Sequence, residues 1–119
     1  MLSTTRKKDW QNAWGISKLD ISFYLNECRE LLKGARIMKD NCTYFDLQEL
    51  VTCYGIVANA HERLLCSLPD TREAFFMRDF TYKGLVECYS TLALYTINWP
   101  EFRLKAIYFE EKLKRLNIN

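Results

Sequence analysis

Long apolar runs are missing from this chain. Its uninterrupted apolar stretches fall far short of the roughly 20 residues that a helix needs to cross a bilayer, which excludes a spanning segment. Strong charge of either sign is missing as well. A formal net charge of +2 is too small to imply a nucleic-acid or membrane partner. Glycine and proline are scarce, at four and two in 119 residues, so most of the chain consists of good or neutral helix formers. Gly15, Gly34, Gly55 and Gly84 are isolated from one another, and no glycine-rich phosphate loop can be built from them.

Metal and disulfide chemistry lack their signatures too. Cys28, Cys42, Cys53, Cys66 and Cys88 are spaced 14, 11, 13 and 22 residues apart, with no C-x-x-C pair to start a zinc site. An odd cysteine count cannot close a complete disulfide framework. The carboxylate-bridged metal bundles use Glu-x-x-His, but Ala58 stands three residues before His61. No metal or cofactor is expected. The start, MLSTTRKKDW, is polar and basic rather than an apolar signal segment. The expected setting is a reducing, intracellular one, cytoplasmic or nuclear, with the thiols acting as small core hydrophobes.

What the chain does have is helical periodicity and start signals. At 119 residues it can bury a core without staples. From Tyr44 to Leu68, Leu47, Leu50, Val51, Tyr54, Val57, Ala58, His61, Leu64, Leu65 and Leu68 recur at steps of three and four, one wide helical face. Four capping-box patterns punctuate the sequence: Ser17 to Asp20, Thr43 to Asp46, Asp70 to Glu73 and Asn98 to Glu101. Their starts lie 26, 27 and 28 residues apart, which predicts four helices joined by short loops and therefore antiparallel neighbours. The expectation is an all-α, antiparallel four-helix bundle with helices at about 18–38, 44–68, 71–97 and 99–116. Ahead of it, residues 1–16 are expected to form a short helix ended by Gly15, or an arm, with Trp10 and Trp14 on one side. Residues 17–119 would then be the bundle domain, in a single-domain chain.

No catalytic constellation accompanies these helices. His61 is the sole residue that titrates near neutral pH unaided, yet it sits on an apolar stripe, where a core histidine with one satisfied ring nitrogen is the simpler reading. The pairs Glu110 with Lys114, Glu111 with Arg115 and Glu30 with Lys33 read as solvated helix faces, and Asp79 is the nearest candidate for an acid. The basic clusters Arg6-Lys7-Lys8 and Lys112, Lys114 and Arg115 lack an interleaved aromatic surface, so nucleic-acid binding is disfavoured. The chain is therefore expected not to be an enzyme.

Aromatic residues are the surplus. Seventeen Phe, Tyr and Trp exceed what one stripe per helix requires. Adjacent pairs such as Phe75-Phe76 and Tyr108-Phe109 cannot share one core line. Leftover aromatics on a small domain mark docking sites. Trp10, Trp14, Phe75, Phe76 and Tyr108 are accordingly the candidate anchors for a partner helix or peptide, or for a second copy of the chain. The expected function is a non-catalytic protein–protein interaction module, an adaptor or regulatory subunit. The alternative is a small helical sensor holding an apolar ligand in the bundle interior, with His61 and a tyrosine as polar handles.

Overall fold

The computed structural model describes residues 2–37 and 44–118, with side chains described over 14–34 and 47–118. Its helices are α1 (Leu2–Ile37), α2 (Tyr44–Ser67), α3 (Phe75–Tyr95) and α4 (Trp99–Ile118), with a 3-10 turn at Arg72–Ala74. No strand occurs among the described residues. The fold is the expected all-α bundle of four helices packed against one another. No helix among the described residues is long and apolar enough to cross a membrane.

Two of the expected helix starts are corrected. The short helix or arm ahead of residue 17 is not a separate element, because α1 runs unbroken through Gly15 and Ser17. The physical reason lies in one line of side chains. Trp14, Ile21, Leu25 and Cys28 are all buried and fall on a single helical face only if the helix continues through Ser17. Tertiary burial of that face outweighs a local capping preference worth about 1 kcal/mol. The second correction concerns Asp70 to Glu73. The α-helix begins at Phe75, the 3-10 turn precedes it, and its flanking Thr71 makes no side-chain capping bond. Arg78 has taken over the corner instead. Its guanidinium donates to the carbonyl oxygens of Pro69 and Thr71 and lies 3.6 Å from the Asp70 carboxylate. By contrast, α4 begins at Trp99, and the Asn98 carbonyl accepts the Phe102 N–H at 3.3 Å, as a first-turn cap requires. Thr43 lies outside the described residues.

The helices pack in chain order. α1 lies on α2, α2 on α3 and α3 on α4, while the backbone of α4 approaches neither α1 nor α2 among the described residues. The row is therefore open, and α1 and α4 each keep an outer face. α3 and α4 are joined by rings: Tyr89 stacks between Phe102 (5.8 Å) and Phe109 (6.0 Å). α1 reaches α3 through side chains at two heights. The Trp14 ring meets Phe80 edge-on at 5.5 Å, and Arg29 grips Glu87 with two bonds of 2.6 and 2.7 Å.

Candidate functional site

His61 faces the junction of α2 and α3 and is fully buried. Its Nδ1–H donates to the Val57 carbonyl, one turn back, at 2.8 Å. That bond leaves Nε2 as the bare nitrogen, sealed from water and without a hydrogen-bond partner. The ring is pressed on Gly84 so closely that a Cβ there would stand 2.1 Å from Nε2. Phe80 covers its other side, 5.5 Å away. Burial lowers the His61 pKa below the ordinary 6.5, with the Val57 bond and the Glu87 carboxylate pulling weakly the other way. Neither ring nitrogen touches a thiol or a carboxylate, so this imidazole is a core ring rather than a poised base.

The other candidate acid, Asp79, is half-buried and already partnered. Asp79 pairs with Lys83 at 2.9 Å and accepts a long bond of 3.4 Å from Asn117. Among the described residues no three His, Cys, Asp or Glu side chains gather as a metal centre would need.

Of the five expected anchors, the four whose side chains are described do not share one surface. The Trp10 side chain lies outside the described residues. Trp14 is corrected: at 2% exposure it is a core ring, its indole Nε1 buried without a partner, and it cannot meet a second protein in this fold. It looked like surplus only because the first bundle helix was expected to begin after it, at about residue 18. Phe75 and Phe76 do come together, edge to face at 5.4 Å. They line a hollow of about 730 Å³ at the α2–α3 corner with Asp70, Arg72, Arg78 and Leu116. Phe76 stands well out in solvent there, and Phe75 is half-buried. Tyr108 is not part of that hollow. It lies on the outer face of α4, edge-on to Phe109 at 5.1 Å, with Lys112 Nζ 5.4 Å above its ring.

A second, more apolar surface lies elsewhere. Between α1 and α2 runs a groove of about 590 Å³, floored by Ile21, Ala60 and Leu64 and walled by Tyr24 and Ile56. Asp20 and Arg63, of opposite charge, stand at its rim. Tyr24 and Ile56 are 59% and 65% exposed. Beside the groove, Ile16, Leu19 and Phe23 stand exposed at steps of three and four along α1, on the side away from Trp14 and Leu25. α1 is therefore apolar on two faces, and only one of them is covered. In the sequence this surface is hidden, because Ile16 stands next to the Ser17 capping box and Ile56 borders the wide stripe of α2. The available signal was a second three-and-four periodicity through Ile16, Leu19 and Phe23. Comparison with protein-family models, with curated proteins and with solved structures finds no match to this chain.

Proposed function

We propose that this protein is a non-catalytic interaction module whose α1–α2 groove receives the apolar face of a partner helix. One observation carries the reading: a hollow walled by Tyr24 and Ile56 lies beside an exposed apolar stripe on the same helix, whose Phe23 ring meets Tyr24 edge-on at 5.6 Å. A groove with adjoining anchors at helical spacing is what helix-in-groove recognition requires, and the Asp20 and Arg63 rim supplies polar register. Monomeric domains seldom leave such contiguous apolar surface in water. The interior is a poorer host for a small apolar ligand, because Gly84 fills the space beside His61 Nε2. We also infer a reducing, intracellular setting, which the free thiols Cys28, Cys53, Cys66 and Cys88 support.

The test compares proteins captured from native cells by three versions of the tagged chain: wild type, Tyr24→Ala with Ile56→Asp, and Phe76→Ser with Tyr108→Ser. A stoichiometric partner lost only with the groove pair supports the reading. Loss with the Phe76 and Tyr108 pair alone moves the site to the α3–α4 side, and retention by all three removes both surfaces. Recovery of copies of the chain itself, lost with the groove pair, makes the partner a second copy.

A further inference from the structure

The residues that line the α1–α2 groove are arranged by kind along its length. α1 ends at Ile37 and α2 starts at Tyr44, so these packed neighbours run antiparallel and their lining residues pair off by height. Tyr24 and Ile56 stand at one end, Ser17 and Ser67 at the other, and Asp20 and Arg63 near the middle of opposite walls. Both charged side chains are exposed, and neither makes an ion pair or a side-chain hydrogen bond among the described residues. Opposite charges share one groove without pairing across it. Resting on the groove as a contact surface, we propose that its occupant is a second copy of the chain. The two copies dock groove to groove about a two-fold axis that runs along the groove.

Symmetry decides the match. An axis parallel to the helices lays α1 of each copy over α2 of the other at unchanged height, so every contact occurs twice. Asp20 of each copy then meets Arg63 of the other. Tyr24 meets Ile56 in the same way, and four apolar side chains close over one another at that end. At the opposite end Ser17 meets Ser67, where short side chains let the two backbones approach. The Ser67 hydroxyl is already turned back onto the Leu64 carbonyl, at 2.8 Å. An axis set across the groove would instead put Asp20 on Asp20 and Arg63 on Arg63, which like-charge repulsion disfavours. A foreign helix would have to supply both charges at matching heights. A second copy carries them already.

Sedimentation velocity of the full chain reads the dimer directly, with dithiothreitol present to keep the exposed Cys66 from bridging copies. The wild type should pass from monomer to dimer as its concentration rises to roughly 100 μM. Asp20→Arg and Arg63→Asp, both at exposed positions that the fold tolerates, should each weaken the dimer about tenfold or more. The two variants mixed together should dimerise as readily as the wild type, because each copy then supplies the charge that the other lacks. Both substitutions in one chain should restore the dimer as well. Rescue by the double variant but not by mixing would place the pair within one chain and overturn the proposal. So would a wild type that stays monomeric at that concentration, or a dimer indifferent to both charges. The groove reading fails separately: it stands while Tyr24→Ala with Ile56→Asp still abolishes capture of a different protein, and falls when that capture is unchanged.

Discussion

The interior at His61 and the groove between α1 and α2 break opposite rules. In the interior, polar atoms are sealed away unpaired: His61 Nε2, Trp14 Nε1 and Tyr54 Oη are buried without partners. In the groove, apolar side chains as large as Tyr24 and Ile56 stand in water uncovered. An unpaired buried donor or acceptor costs roughly 1–3 kcal/mol, which tight packing of the surrounding rings must offset. An uncovered apolar wall costs little in a folded monomer but offers free energy to whatever covers it. The difference teaches that the two regions are built for different ends. The first is organised around close packing within the chain, and the second, we propose, is left for contact outside it.

The contrast can be broken at its strongest point first. Trp14→Ala removes a buried ring from between α1 and Phe80 and should cost about 3–5 kcal/mol, measured by urea unfolding. A loss below about 1 kcal/mol would mean that α1 is not docked there. Gly84→Ala should cost less, about 1–3 kcal/mol, because the new methyl meets the His61 ring even as it favours the helix. Combining it with His61→Ala should recover much of that loss; simple additivity of the two would refute the close approach.

A weaker lever is pH. The folded state holds His61 neutral, with a pKa below the 6.5 of the unfolded chain. The unfolded chain therefore binds the extra proton more readily in acid. Stability should be fully present above 6.5 and fall as the pH drops from there through the lowered folded value. His61→Asn, measured across the same range, should flatten that part of the slope whatever it does to the baseline. The smallest effect on stability belongs to the groove. Tyr24→Ala or Phe23→Ser should change unfolding by no more than about 0.5 kcal/mol, since these side chains face water. A large destabilisation there would make the groove wall part of the core and end the contrast.

Much of the fold was legible in the residues themselves. The stripe through Leu50, Tyr54, Val57 and His61 is the buried face of α2, and Phe102, Ala106 and Phe109 are the face by which α4 meets α3. Local chemistry is enough for such assignments, because burial must follow the helical period. The failures share one cause. The Ser17 box satisfies a local pattern, but a helix interior tolerates the same residues when Trp14 and Ile21 must share a face. The Asp70 box lost its corner to Arg78, a competitor in the first turn of the very helix that the box was expected to start. The groove needed knowledge of which helices are neighbours: α1 carries apolar residues on two sides, and no periodicity says which side α2 will cover. The same holds for Arg29 with Glu87, 58 residues apart.

The central claim is that the α1–α2 groove is a contact surface, and it is tested most directly by photo-crosslinking in native cells. A photoreactive amino acid replaces Ile56 in one version of the full chain and Ile107, exposed on α4, in another. The account predicts a single discrete crosslinked protein from position 56 that is absent from position 107 and lost when Tyr24 becomes Ala. No adduct at 56, or the same adduct at 107 alone, would contradict it.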